Sequence, residues 1–83
     1  MNQTINESIR VAGIYQHSNF KPVWFEWNHH QFKISKITLI SDYKQGEMKC
    51  KIYSVMAEDN LYRLTFNLIS HDWSLQSVWV DGI

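Results

Sequence analysis

The residue types that most often carry chemistry are present but poorly arranged for it. Ser70, His71 and Asp72 contain the three groups of a hydrolase triad. Neighbouring side chains on a turn point apart, whereas a triad needs hydroxyl, imidazole and carboxylate joined by hydrogen bonds. We interpret these residues as a polar hairpin loop and expect no catalytic residue in the chain.

A metal site or a reactive thiol has little more support. His29 and His30 are adjacent, but a metal site needs three or four convergent ligands, and only Glu26 or a distant histidine could assist. We interpret the two histidines as part of a turn. Cys50 lies between two lysines in a strand pattern, so it falls on the apolar face while the lysines fall on the other. We therefore expect a buried, inert thiol. We predict no metal, no cofactor and no enzyme activity.

Length and composition limit the chain to one small folded domain. Of its 83 residues, 45% are hydrophobic and 19% are charged, which suffices for one core. We expect a single domain over residues 1–83, with the polar residues 1–8 flexible. Eight basic residues balance eight acidic ones, so no net field favours a polyanionic partner or an anionic membrane.

The N-terminal segment predicts a cytoplasmic protein. It lacks the basic start and the apolar stretch of a signal peptide. No apolar run approaches the roughly 18 residues that would span a bilayer. The single cysteine cannot form an internal disulfide. We therefore expect no contact with a membrane.

Alternation of apolar and polar residues is the dominant pattern and predicts an all-β fold. No segment keeps a 3.6-residue apolar period for ten residues, so no helix is expected. The alternating segments amount to roughly six strands. We predict a small SH3-like barrel or a strongly bent antiparallel meander, with an OB-type barrel as the alternative. Apolar positions of the predicted strands include Val11, Phe25, Ile34, Ile52, Phe66 and Leu75.

Turn chemistry predicts how these strands pair. Four hairpins can be registered so that their apolar residues share one inner face, with turns predicted at residues 28–31, 45–46, 58–60 and 69–72. In the third hairpin, a three-residue loop with Asn60 left-handed pairs Ile52 with Phe66. Cys50 and Phe66 then lie on the same side of the sheet.

The strand predicted from Phe32 to Tyr43 changes phase along its length. Its inner positions shift by one residue near Ser35 and Lys36. A β-bulge or a sharp bend there would absorb the extra residue. We expect this one long strand to serve two sheets at once.

Several short motifs resemble a family of small, uncharacterised prokaryotic β domains. Members carry a proline followed by F-x-W, then an aromatic-x-aliphatic strand and a closing W-x-L. The corresponding residues of this chain are Pro22, Phe25, Trp27, Phe32, Ile34, Trp73 and Leu75. Some members are similar to the tail domains of Y-family DNA polymerase relatives. The resemblance covers residues 21–80 and implies an accessory role beside nucleic-acid enzymes.

The outer positions of the predicted strands suggest a contact surface. They carry cationic and aromatic side chains, namely Trp24, Lys33, Lys49, Lys51, Tyr53 and Arg63. We predict that these residues form the binding surface of a non-enzymatic binding or adaptor module. Four tryptophans exceed what a small interior holds, so at least one should be exposed and available to anchor an interface. A protein partner or a homodimer is the first expectation.

Two alternatives stay open. Lysines beside aromatic rings also suit single-stranded nucleic acid, because phosphates attract lysine and bases stack on rings. The zero net charge places nucleic acid second. Trp24 could instead pack with Val11 and Ile14 in a small second core. The segment from Val78 to Ile83 is apolar on both sides, which suits a strand covered by the N-terminal strand or by a second subunit.

Overall fold

The computed structural model describes residues 2–80, all of whose regular structure is β-strand. The strands are β1 (Asn2–Ser8), β2 (Arg10–Gln16), β3 (Asn19–Trp27), β4 (His30–Lys33), β5 (Lys36–Gln45), β6 (Met48–Ala57), β7 (Asn60–Asn67) and β8 (Trp73–Trp79). Within this described part, no helix is long and apolar enough to cross a membrane. Met1 and residues 81–83, which the single-domain prediction and the C-terminal segment include, lie outside it.

The strands form two antiparallel sheets around one core. The larger sheet has the order β1-β8-β7-β6-β5, and the smaller has the order β2-β3-β4. Phe25 and Phe32 from the smaller sheet meet Val55, Leu64 and Leu75 from the larger one. The predicted all-β class is confirmed. The described strands do not close into a barrel, because they divide between two sheets that each keep two edges.

The chain passes from one sheet to the other where the apolar phase changes. β4 ends at Lys33 in the smaller sheet, and β5 begins at Lys36 in the larger one. Ser35 secures the crossing, since its backbone N–H and its hydroxyl both donate to the carbonyl oxygen of Met56, at 2.8 and 3.1 Å. The predicted break in phase is therefore a gap between two strands rather than a bend in one.

The N-terminal segment, for which the sequence predicts flexibility, forms a strand over Asn2–Ser8. β1 pairs with β8 from Asn2 opposite Trp79 to Ser8 opposite Ser74. The side chain of Glu7 also accepts a hydrogen bond from Trp27 Nε1 at 3.0 Å. The segment is too polar to show a strand pattern, and it is held by pairing with the edge of β8 and by Ile5, which packs against the core.

Three hairpins turn on two residues that both have positive φ. They are His17-Ser18, Asn28-His29 and Glu58-Asp59, with φ between 48° and 69°. This is the backbone of a type I′ turn, whose twist matches the strands that it joins. In the fourth hairpin Gly46 has φ 59°, and Gln45 pairs with Met48, so the turn is Gly46-Glu47.

The Glu58-Asp59 turn overturns the predicted face of β6. A two-residue turn differs from the predicted three-residue loop by one residue, which exchanges the two faces of the strand. Tyr53 and Val55 consequently lie in the core, with Tyr53 opposite Leu64. Cys50 pairs with Asn67, so it lies on the face of the sheet opposite to that of Phe66, contrary to prediction.

The β3–β4 hairpin keeps its predicted faces although its register differs by two residues, since Phe25 pairs with Phe32 rather than with Ile34. A shift of two residues leaves every side chain on its own face, because side chains alternate with a period of two. The β5–β6 hairpin also differs by two residues, but its predicted inner face, which includes Tyr43, lies outward because the faces of β6 are exchanged. In the β7–β8 hairpin, a register shift between Arg63 and Leu64 turns Trp79 outward.

Candidate functional site

A cleft of about 270 Å³ opens between the two sheets at one end of the molecule. We call it the aromatic cleft, because five aromatic rings line it together with smaller polar and apolar groups. The rings are those of Tyr15, Phe20, Tyr53, Phe66 and Trp73. Its other lining residues are Ser18, Asn19, Ile40, Lys51 and Leu68. The size suits one planar ring or one large side chain rather than a whole small molecule.

A bulge in β3 places Phe20 at this cleft. Ala12 pairs with Trp24, but the next residue of β2, Gly13, pairs with Pro22, so β3 holds one extra residue. The extra residue reverses the phase of β3, and Phe20 joins Pro22 on the face that points toward the larger sheet. Pro22 is fully buried there.

Glycine is required at position 13 by this crossing of the two strands. A Cβ on Gly13 would collide with the carbonyl oxygen of Lys21, with the Phe20 ring and with the backbone of Pro22. Two of these neighbours are backbone and cannot rotate away. The close approach of β2 and β3 therefore depends on the missing side chain, as is typical of glycine beside a bulge.

The Trp73 indole lies at the centre of the ring cluster. Its ring centroid is 4.8 Å from that of Phe66, 5.3 Å from that of Tyr53 and 5.8 Å from that of Phe20. The interplanar angles are all between 40° and 44°. Tyr15 continues the cluster outward, with its centroid 5.1 Å from that of Phe20, and it is 78% exposed. Tilted rings at these distances form a firm apolar wall.

Polar groups stand at the margin of this wall. Lys51 pairs across the sheet with Phe66 and, on its other side, with Asp42. Burial raises the pKa of Tyr53 above its usual value of 10.0, and the charges of Tyr15 and Asp42 raise it further. The Tyr53 hydroxyl is therefore neutral at physiological pH and can both donate and accept a hydrogen bond.

The six residues predicted as one contact surface lie on three different faces. Trp24 and Lys33 are cross-strand neighbours on the outer face of the smaller sheet. Arg63, opposite Ser54, lies on the outer face of the larger sheet. Lys49, Lys51 and Tyr53 share the inner face of β6. The predicted shared outward phase is wrong, because it depended on the predicted face of β6.

Tyr53 and Lys51 are the two predicted residues that reach the aromatic cleft. Tyr53 was expected to be exposed, yet it is only 3% exposed and forms part of the core. The sequence argument did not identify Tyr15 or Phe20 as site residues. The bulge interrupts the alternation of β3 before Phe20, and a bulge has no distinct signal in a single sequence beyond Gly13 itself.

The exposed tryptophan is not the predicted one. Trp79 is 49% exposed on the outer face of the larger sheet, whereas Trp24 is half-buried. The predicted second core around Trp24 is divided, because Val11 pairs with Phe25 on the inner face while Ile14 points outward beyond the bulge. The expectation that at least one indole ring is exposed is confirmed.

Two of the histidines considered in the sequence analysis make structural contacts. His30 Nε2 lies 2.7 Å from Glu58 Oε2, which joins the start of β4 to the turn after β6. The backbone N–H of His71 donates to the carbonyl oxygen of Asn67 at 2.8 Å, within the loop between β7 and β8. Among residues 2–80, no three histidine, cysteine or carboxylate side chains come together to hold a metal ion.

Comparisons with models of protein families, with curated proteins and with solved structures found no match for this chain. The resemblance to small prokaryotic β domains thus stays a prediction.

Proposed function

We propose that this chain is a non-enzymatic binding module, and that it takes one apolar or aromatic side chain of a protein partner into the aromatic cleft. The observation that carries this proposal is the wall of five rings that lines the open end of the sandwich. Rings held by packing lose little entropy when they bind, which makes them effective anchors for a partner.

The polar margin supports a peptide as the ligand. Lys51 and the Tyr53 hydroxyl lie beside the rings, where they can meet the backbone or a polar group next to the inserted side chain. Sites of this kind combine an apolar wall with a few placed polar groups that orient the ligand. We place the module in the cytoplasm, as the sequence predicts.

Amino acid amides test the cleft directly. N-acetyl-tryptophanamide and N-acetyl-tyrosinamide should bind with a dissociation constant of order 1 mM, as expected for ligands of this size. In a two-dimensional NMR titration, the shifts should centre on the indole N–H of Trp73 and on the amides around Phe20. Shifts spread evenly over the surface, or no shift at all, would contradict the proposal.

A matched pair of tyrosine variants sharpens the test. Tyr15→Ala removes a lining ring that is 78% exposed, so the fold should tolerate it while affinity falls several-fold. Tyr43→Ala removes a tyrosine that is 46% exposed and lies on the outer face of the larger sheet. The second variant should bind the amides as well as the unchanged protein does.

A second candidate ligand is single-stranded nucleic acid, and one observation favours it. Lys44 and Lys49 are cross-strand neighbours, and they share the inner face of β5 and β6 with Lys51 beside the cleft. Bases stacked on the rings would bring phosphates toward these lysines. This arrangement would fit an accessory role beside a nucleic-acid enzyme.

A labelled oligothymidine separates the two ligands. If nucleic acid is the ligand, fluorescence anisotropy should show binding that weakens steeply with salt and that Lys51→Ala reduces. Lys33→Ala, on the other sheet, is the matched control. An oligonucleotide that fails to bind at low salt removes this candidate and leaves the peptide.

A further inference from the structure

The two sheets have four edge strands, and three of them are protected against pairing with another chain. β4 has only four residues. β1 is interrupted between Thr4 and Glu7, where Asn6 has φ 54°. β2 pairs with the bulge in β3 beside Ala12 and Gly13, which increases its local twist. Short length, irregular backbone and increased twist are among the ways in which proteins prevent edge-to-edge association.

The fourth edge, β5, lacks this protection over most of its length. Its irregularity lies near its start, between Ile37 and Leu39, and the pairing from Leu39 to Gln45 is regular. Exposed side chains occupy the whole of this regular stretch, and Tyr43 within it is 46% exposed. A regular, exposed and partly apolar edge is a template for a further strand.

We propose that β5 pairs antiparallel with β5 of a second copy of this chain, about a twofold axis at Tyr43. The proposal does not depend on the aromatic cleft. Paired residues must point to the same face of the joined sheet, so the axis must pass through a residue rather than between two. Two features then choose among the residues through which it can pass: the charges of the strand, and the irregular backbone between Ile37 and Leu39 that an axis at Leu39 would have to cross.

Most axis positions bring unfavourable groups together. An axis at Asp42 places the two Asp42 carboxylates directly opposite each other, and an axis at Lys44 does the same to two ammonium groups. An axis at Ile40 places Lys36 opposite Lys44 of the second copy. An axis at Ser41 sets Asp42 against Ile40. Like charges directly opposite destabilise a strand pair.

The axis at Tyr43 is complementary in charge. It places Asp42 of each copy opposite Lys44 of the other, so that two ion pairs form. Within one chain Lys44 faces Lys49, which is a repulsive pair, and the carboxylate of the second copy offsets this repulsion. The overlap from Ser41 to Gln45 also avoids the irregular backbone near the start of the strand.

Charge reversal tests the register. Sedimentation equilibrium should show a dimer, and Asp42→Lys or Lys44→Asp should weaken the association by roughly tenfold or more, because each replaces two attractive pairs with two repulsive ones. The double variant Asp42→Lys/Lys44→Asp should restore it. Lys33→Asp, on the edge of the smaller sheet, is the matched control and should have no effect.

Cross-linking gives a second measurement that does not rely on charge. Directly opposite residues are about 5 Å apart between Cα atoms, within the range of a disulfide. In a Cys50→Ser background, Tyr43→Cys should give a linked dimer when a mild oxidant is added. Ser41→Cys should not, because its two copies would be about 13 Å apart.

Two results would overturn the proposal. The first is a chain that remains monomeric at about 1 mM, a concentration at which even weak strand pairing is populated. The second is a dimer that ignores both single charge reversals and cross-links through Ser41→Cys instead of Tyr43→Cys. Either result would leave the edge of β5 without the partner proposed for it.

Discussion

The two ends of the sandwich contain similar rings but enclose them to different extents. At one end Phe25 stacks on Phe32 with centroids 4.9 Å apart, and Tyr62 meets both rings within 5.3 Å. These three rings are at most 9% exposed. At the other end the rings around Trp73 line an open cleft. The same chemistry thus stabilises the fold where it is covered and remains available for binding where it is not.

The difference between the ends follows from what covers each ring cluster. At the closed end, the side chains of His30, at the start of β4, and Glu58, in the turn after β6, are in contact. At the open end the bulge in β3 turns Phe20 inward, but Tyr15 and the turn after it stay exposed. The β2–β3 hairpin therefore lines the cleft without sealing it.

The largest contrast should come from removing one ring at each end. Phe25→Ala should lower the free energy of unfolding by about 3–5 kcal/mol, because it opens a cavity in a fully covered site. Phe20→Ala should cost about 1–2 kcal/mol, since its ring is half-buried and water can enter. Urea denaturation followed by tryptophan fluorescence measures both. Equal losses would mean that the open end is as tightly packed as the closed one.

Gly13→Ala should have the next largest effect, and it should damage the open end alone. The added methyl group collides with the backbone at Lys21, which should cost about 1–3 kcal/mol in unfolding free energy. The displaced Phe20 should also weaken binding of N-acetyl-tryptophanamide. Gly46→Ala is the control, because a Cβ there meets no other atom, although its φ of 59° disfavours alanine. That variant should lose some stability but keep its affinity.

The contact between His30 and Glu58 at the closed end should contribute less to the free energy of unfolding. Both partners are about half exposed, so a double-mutant cycle with His30→Gln and Glu58→Gln should give a coupling of about 0–1 kcal/mol. The coupling should shrink as salt is added, because the added ions screen exposed charges. A coupling that salt leaves unchanged would show that the two side chains interact by packing rather than by charge.

Tyr53→Phe, at the open end, should have the smallest effect on stability at neutral pH. Its effect should appear only in alkaline solution. Because burial first, and then the charges of Tyr15 and Asp42, raise the folded-state pKa of Tyr53 above 10.0, the folded protein holds this proton more tightly than the unfolded chain does. Stability should therefore be unaffected below about pH 10 and should fall as pH rises above it. The variant should lose part of this fall in pH-dependent denaturation. An identical pH profile would contradict a raised pKa for Tyr53.

The all-β class could be predicted from the sequence because alternation depends only on neighbouring residues. The inner positions of Phe25 and Phe32 were predicted correctly for the same reason. The crossing at Ser35 was visible in the sequence as a change of phase. The face of β6 was not predictable. The two residues with positive φ in its turn are Glu58 and Asp59, whereas turn propensities favour Asn60 in the left-handed position.

The candidate site was less predictable than the fold. Lys51 and Tyr53 were identified, but for an outward face that they do not occupy. Phe20 comes to the cleft through a bulge, which reverses the phase of β3 over one residue, and it pairs there with Tyr15 of β2. Trp73 was assigned correctly to the inner face, but its contact with Phe20 joins the two sheets, and no local pattern specifies such a pair.

The sequence by itself determined that this chain is a small β protein, since side-chain alternation is a property of each strand alone. The tertiary structure decided which rings are covered and which stay open, because coverage depends on how the two sheets overlap. It also ordered β1, whose polar residues acquire a partner only when β8 presents an edge. Strand identity is local in sequence, whereas a binding surface is formed by residues that only folding brings together.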